Sequence, residues 1–116
     1  MTGDPAYLSI AEASALIRER KLSPLELTDA CLARIERLDG KLNAFITVTA
    51  DEARKAAREL GDEIAAGRNR GQLHGIPVGL KDIFDVAGVR TTAASPILAD
   101  NVAAADSSVT RRLKKA

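Results

Sequence analysis

Two serines each stand three residues ahead of a glutamate, Ser9 with Glu12 and Ser23 with Glu26, and these pairs constrain the fold more than any other local feature. A serine hydroxyl just before a helix accepts from the amide three residues on, while the glutamate carboxylate reaches back to the serine's own amide. Two donors that would otherwise lack partners are satisfied. The first pair predicts a helix over about 9–20, with Leu8 placed to pack against its start and Ala13, Leu16 and Ile17 on one side. The second predicts a helix over about 23–39. Pro24 falls at its first position, where a missing N–H costs nothing, and Gly40 supplies the stop. Leu27, Cys31, Ile35 and Leu38 recur along it at helical spacing.

Past Gly40 the pattern changes. Ala44-Phe45-Ile46-Thr47-Val48-Thr49 is short and rich in β-branched residues, which predicts a strand or an extended segment. Thr49 with Glu52 repeats the start signal for a third helix over about 50–66, ending before Gly67. Its apolar stripe of Ala53, Ala56, Ala57, Leu60 and Ile64 is narrow and shallow, so it buries little area. Of the 116 residues 46% are apolar but only 3% aromatic, which leaves room for one small domain with a thin core. A net charge of +1 makes no long-range field and argues against direct binding of nucleic acid or an anionic membrane surface. Cys31, alone, excludes an intrachain disulfide and a zinc-type ligand set, and on an apolar helix position it reads as an inert buried thiol. No segment approaches about 18 consecutive apolar residues, and residues 1–5 do not resemble a secretory signal, so a cytoplasmic protein is expected.

The stretch from Gly71 to Ser95, GQLHGIPVGLKDIFDVAGVRTTAAS, carries the candidate chemistry. Pro77 pushes Ile76 toward extended backbone, and in a regular strand Ile76, Val78 and Leu80 share one face while Pro77, Gly79 and Lys81 occupy the other. Pro77 and Gly79 leave open floor beside the ammonium for a ligand or another backbone, and Ile83 and Phe84 follow as candidates to exclude water. A lysine stripped of water without gaining a carboxylate partner gives up its proton more readily, because desolvation disfavours the charged form. Such a lysine can act as a base. By residue type alone a lysine is ordinarily a solvated surface charge, and Asp82 can simply pair with a neighbour.

Thr91, Thr92 and Ser95 place hydroxyls near Lys81 in sequence, either to hydrogen-bond a ligand or to hold a turn; Thr92 and Ser95 are the substrate-binding candidates. Asp82 and Asp85 read as helpers or surface groups. His74 has no serine or cysteine motif beside it, and a structural role is the simpler reading. Gly71, Gly75, Gly79 and Gly88 form neither G-x-G-x-x-G nor a P-loop, no carboxylate pair has catalytic spacing, and no metal-ligand cluster exists. No cofactor and no metal are expected. Residues 96–105 read as irregular with at most one helical turn. Asp106 is the candidate cap of a last helix over about 107–115, whose Arg111, Arg112, Lys114 and Lys115 complement the helix dipole.

Gly75-Ile76-Pro77-Val78-Gly79-Leu80-Lys81-Asp82, followed by Gly88-Val89-Arg90-Thr91-Thr92-Ala93-Ala94-Ser95, resembles the lysine-bearing block of the amidase signature family, G-I-P-x-x-x-K-D then G-x-x-T-T-x-G-S. Ala94 stands where glycine is commoner, which bears on the backbone dihedral there. The resemblance extends over nearly all of this chain and over the front part of a family domain. It implies an α/β fold in which residues 1–116 contribute the N-terminal helices and the first strands of a mixed sheet covered by helices. It also implies hydrolysis of a small-molecule carboxylic amide or, in the A subunit of the tRNA-dependent amidotransferase, release of ammonia from glutamine. Family members use a serine nucleophile, a second serine with a cis peptide bond, and a lysine that begins proton transfer through that second serine; the lysine corresponds to Lys81. The chain ends at Ala116 before the Gly/Ser-rich block of family members, and Ser107-Ser108 lacks the glycines that let backbone amides converge on an oxyanion. The 116 residues by themselves are therefore expected to be inactive. A truncated non-catalytic product or interaction module is the competing expectation, and a homodimer is an open assembly.

Overall fold

Both reciprocal serine–glutamate pairs form in the computed structural model, which describes residues 3–116. Ser9 N–H donates to Glu12 Oε2 at 2.8 Å and Glu12 N–H donates to Ser9 Oγ at 3.2 Å, opening α1 (Ile10–Arg18). Ser23 and Glu26 repeat the arrangement at 2.8 and 3.1 Å and open α2 (Pro24–Leu42). α1 ends with Arg20 in the left-handed region at φ 58°, where Arg20 N–H donates to Ile17 O and Lys21 N–H to Leu16 O, meeting two of the last free carbonyls. From there the Arg20 guanidinium donates to Ile64 O at 3.2 Å, placing a cation at the C-terminus of α3 (Ala50–Ala65).

The chain divides into two compact units, Met1–Pro77 and Val78–Ala116. In the first, Ala13, Ile17, Leu22, Leu27 and Ile64 form the buried cluster, with Leu8, Leu16, Cys31 and Ile76 packed around it. Pro24, besides opening α2, is fully buried. Gly75 lies against its ring at φ +77°, and a Cβ there would stand 2.6 Å from Pro24 Cγ and 3.6 Å from Ile17 Cδ1. His74, 2% exposed, accepts from Arg70 N–H through Nδ1 at 3.1 Å and lies 2.8 Å from Leu60 O through Nε2. An amide can only donate and a carbonyl can only accept, so the ring proton sits on Nε2.

Several sequence expectations need correction. α2 runs through Gly40, and the stop comes at Asn43, a residue that tolerates its φ of 50°. Thr49 makes no side-chain cap, because its ψ of 62° departs from the extended conformation in which a capping hydroxyl faces the first turn. Asp51 and Glu52 stand in that turn instead, favourably placed against the helix dipole. The largest correction is to the fold class. Among the described residues there are four α-helices, two short 3₁₀ turns and no strand, so the expected α/β mixed sheet does not form; the β-pairing is a single isolated bridge between Arg90 and Val102.

A strand persists only where its backbone groups find ladder partners. In the 44–49 segment the amides of Ala44 and Phe45 donate to Asp39 Oδ1 at 2.7 and 3.2 Å, so the end of α2 takes donors that a ladder would need. In the 76–80 segment Pro77 has no N–H, Ile76 turns to the core of the first unit and Val78 is 53% exposed, so the expected shared face is not realised. Lys81 O then accepts from Ile83 N–H at 2.7 Å and Phe84 N–H at 3.1 Å, bending the chain where the strand would have continued.

The second unit is organised by polar contacts. Its buried residues are Thr91, Thr92, Ala103 and Thr110. Around the Arg90–Val102 bridge, Gly88 N–H donates to Ala103 O, Ala103 N–H to Val89 O and Thr91 N–H to Asn101 O at 2.9–3.1 Å. Ser107 caps α4 (Ser108–Lys115) by accepting from Thr110 N–H at 3.2 Å, a role expected of Asp106. Asp106 is engaged elsewhere, accepting from Ala87 N–H and Lys114 Nζ, both at 2.8 Å. Asp85 O accepts from Ser107 N–H and from the Thr110 hydroxyl, which docks the start of α4 on the loop that follows Lys81. No helix among the described residues is long and apolar enough to cross a membrane.

The Gly75 contact makes a comparison with Gly67 informative, since Gly67 also has positive φ (+81°) but nothing within 4 Å of a would-be Cβ. Gly67→Ala is expected to cost about 1 kcal/mol from the dihedral alone, and Gly75→Ala about 3 kcal/mol because overpacking against Pro24 is added. Urea unfolding of the two variants checks this, and equal losses would show that the close approach carries no weight.

Candidate active site

Lys81 follows residues 78–80, which belong to no helix or strand, and is itself exposed. Among the described residues its ammonium makes no salt bridge or hydrogen bond. Ile83, expected to help exclude water, is 53% exposed, while Phe84 is half-buried, so the water-excluding wall expected of these residues is at most half built.

Asp82 has a different environment. Its Oδ1 accepts from Thr92 N–H at 2.9 Å, its Oδ2 accepts from the Thr92 hydroxyl, and its backbone carbonyl accepts from Ala93 N–H at 2.8 Å. Thr92 Oγ1 in turn accepts from Ala94 N–H at 3.2 Å, and Thr92 O from Ser95 N–H at 2.8 Å. Thr92, 5% exposed, thus joins the residue after the lysine to the 92–95 turn, and its hydroxyl both donates and accepts inside the protein. Ser95 is half-buried, makes no cap with its side chain and joins that turn through its backbone amide. The structure therefore brings Lys81, Asp82, Thr92 and Ser95 onto one loop system.

The turn adopts left-handed backbone at Ala93 (φ 49°) and at Ala94 (φ 56°). The dihedral that a glycine would favour is kept although the residue at 94 is alanine, at a cost of about 1–2 kcal/mol. The Thr92 hydroxyl, followed by the Thr92 amide, holds the Asp82 carboxyl below the usual carboxylate range, against the opposing effect of burial.

The other candidates are accounted for locally. Both ring nitrogens of His74 are engaged with backbone, which leaves neither for general-base work. Cys31 borders a small apolar cleft with Leu8, Leu27 and Ile76, and burial pushes its thiol up, away from the reactive thiolate. Ser107 Oγ caps α4, and Ser108 Oγ accepts from Arg111 at 3.2 Å, so both serines serve the helix start. Sequence reasoning missed the ten-residue partnership of Asp82 with Thr92; its only signal was the shared spacing of the two halves of the motif.

Two measurements follow. A carboxyl whose folded value is depressed adds stability that is fully present above its unfolded value, about 3.9 for Asp, and that is lost as pH falls through the lower folded value. The Thr92 amide resonance is therefore expected to titrate with a midpoint below about pH 3.9 and to stop titrating in Asp82→Asn; a midpoint at or above that value would contradict the assignment. Ala94→Gly is expected to raise stability by about 1 kcal/mol in denaturant unfolding, and a loss would mean that the left-handed turn is not populated.

Comparison with known proteins agrees with the motif. The family model described as Amidase matches residues 26–116. The chain is 50% identical over 107 residues to the A subunit of the glutamyl-tRNA(Gln) amidotransferase of Gluconobacter oxydans, covering 92% of this chain and 21% of that one. It is 46% identical over 109 residues to the protein of the same name from Anaeromyxobacter sp. (strain K), covering 94% and 22%. A solved structure described as an unexpected vestigial protein complex that reveals the evolutionary origins of an s-triazine catabolic enzyme superposes with a TM-score of 0.88. It is 32% identical, over 92% of this chain and 24% of that one. The chain thus spans about one fifth of the length of the curated relatives it matches. With the motif, the loop geometry and a family match over most of its length in agreement, the chain belongs to the amidase signature family.

Proposed function

We propose that this chain supplies the general base of an amide hydrolase of the Ser-cisSer-Lys type, with Lys81 as the base and a small-molecule amide as substrate. The observation that carries this reading is an ammonium in the lysine position of the family motif that meets no carboxylate among the described residues. A serine hydroxyl is a weak nucleophile until a base takes its proton, and an amine is such a base only while it is free of a proton and of a salt bridge. Because Lys81 is exposed within these residues, the wall that dries it and the serines it would serve belong to polypeptide outside this chain. Ser95, whose hydroxyl stands in the same loop system, is the substrate-contact candidate; Thr92 is better suited to hold the turn.

The shared name of the relatives favours one amide in particular. The amidotransferase member of this family releases ammonia from glutamine, so glutamine is the second reading of the substrate. Ammonia release from glutamine by the complete protein, dependent on a partner, selects that reading; turnover of simple carboxamides without a partner selects the free-standing amidase.

In the complete protein, Lys81→Ala is expected to lower kcat/KM by about 10²–10⁴-fold, the usual contribution of a positioned general base. Steady-state kinetics on glutamine and on a simple amide check it. A near-normal rate would refute the role of Lys81 and leave the non-catalytic reading of the chain standing.

A further inference from the structure

Lys81 and Asp82 are adjacent on a bend, so an unengaged Asp82 carboxylate is the nearest candidate to neutralise the ammonium. The carboxylates of this unit are Asp82, Asp85, Asp100 and Asp106. Asp106 is held by Ala87 N–H and Lys114, while Asp85 is exposed and engages α4 through its backbone carbonyl. Asp100 is exposed and stands beyond the 3₁₀ turn Pro96–Leu98. Arg90 is the cation whose charge acts on Asp82. Asp82 alone is both next to the lysine and fully occupied, with each carboxylate oxygen taken by a different donor of the same buried residue.

We propose that Thr92 is a positioning residue for Lys81: by engaging both oxygens of Asp82 it keeps the adjacent carboxylate from pairing with the ammonium. The inference rests on Lys81 acting as a base and identifies what regulates that base. A carboxylate within about 4–6 Å of an amine favours its charged form, and the charged form cannot accept the proton of a serine. Thr92 touches neither the ammonium nor a reacting atom in this arrangement. It acts through Asp82, and its own geometry is set by the Ala94 amide that donates to its hydroxyl. A valine at 92 would keep the shape and the amide donor while removing the hydroxyl. Asp82→Glu would keep the charge but, one methylene longer, could not keep both bonds in the same geometry.

The test is the pH profile of kcat/KM for the complete enzyme carrying this sequence. Thr92→Val and Asp82→Glu are expected to move the acid limb upward by about one pH unit, giving roughly tenfold lower activity on that limb. Thr92→Ser, which keeps the hydroxyl, is expected to leave the limb in place, and Asp82→Asn added to Thr92→Val to return it, because the competing charge is then gone. A limb that stays put in both Thr92→Val and Asp82→Glu, while Lys81→Ala abolishes turnover, overturns this inference alone. So does a limb that remains displaced in the Thr92→Val/Asp82→Asn double variant. A Lys81→Ala enzyme of near-normal rate overturns the reading on which it rests.

Discussion

A carboxylate beside a would-be base is the constraint on which the second unit turns. Asp82 is adjacent to Lys81 in sequence, and in water two such groups would attract each other. Among the described residues no such pair forms, and a buried threonine offers Asp82 two donors at once, an amide and a hydroxyl, so that both carboxylate oxygens are engaged. The same hydroxyl accepts from Ala94 N–H, so the group that restrains Asp82 also holds the 92–95 turn in left-handed backbone. Few apolar contacts are available there. The buried set of Thr91, Thr92, Ala103 and Thr110 makes this unit depend on directional bonds, which fix geometry more sharply than they add net stability.

The first unit solves a different problem with the same shortage of large side chains. Its core cluster contains only aliphatic residues, and close approach replaces bulk: Gly75 on the Pro24 ring, Ile17 beneath both. His74 contributes by satisfying Arg70 N–H and Leu60 O in the interior, where unmet backbone groups would be costly. His74 immediately precedes the lysine motif and Gly75 opens it, so the start of the motif, through Ile76, is held by the packing of the first unit.

What could be read from the sequence was local. The Ser9–Glu12 and Ser23–Glu26 caps form as the three-residue spacing requires, because both partners lie within one helical turn. The reading failed where a distant or backbone factor intervened. Gly40 is accommodated inside α2 and Asn43 ends it; Thr49 has the right hydroxyl on the wrong ψ; Asp106 is drawn to Ala87, nineteen residues away, leaving the cap to Ser107. The mixed sheet failed for the most general reason. β-branched composition around Ile46 and Val78 marks segments that can extend, but a ladder needs a partner, and Asp39 and Pro77 each remove donors from it. At the site, the resemblance to the family motif pointed to Lys81, and hydroxyls near it in sequence made Thr92 and Ser95 substrate-binding candidates, but no sequence rule joins Asp82 to Thr92 or places Ile83 in solvent.

The chain belongs to the amidase signature family, and the proposed function rests on Lys81, the residue in the lysine position of the family motif. The most direct measurement is a crystal structure of the complete protein with a serine-directed covalent inhibitor, read for what surrounds Lys81 Nζ. The expected result is a serine oxygen within about 3.2 Å, hydrogen-bond reach for a base, Asp82 still held by Thr92, and no carboxylate paired with the ammonium. Lys81 found in a salt bridge, or with no serine oxygen in reach, would contradict its assignment as the base.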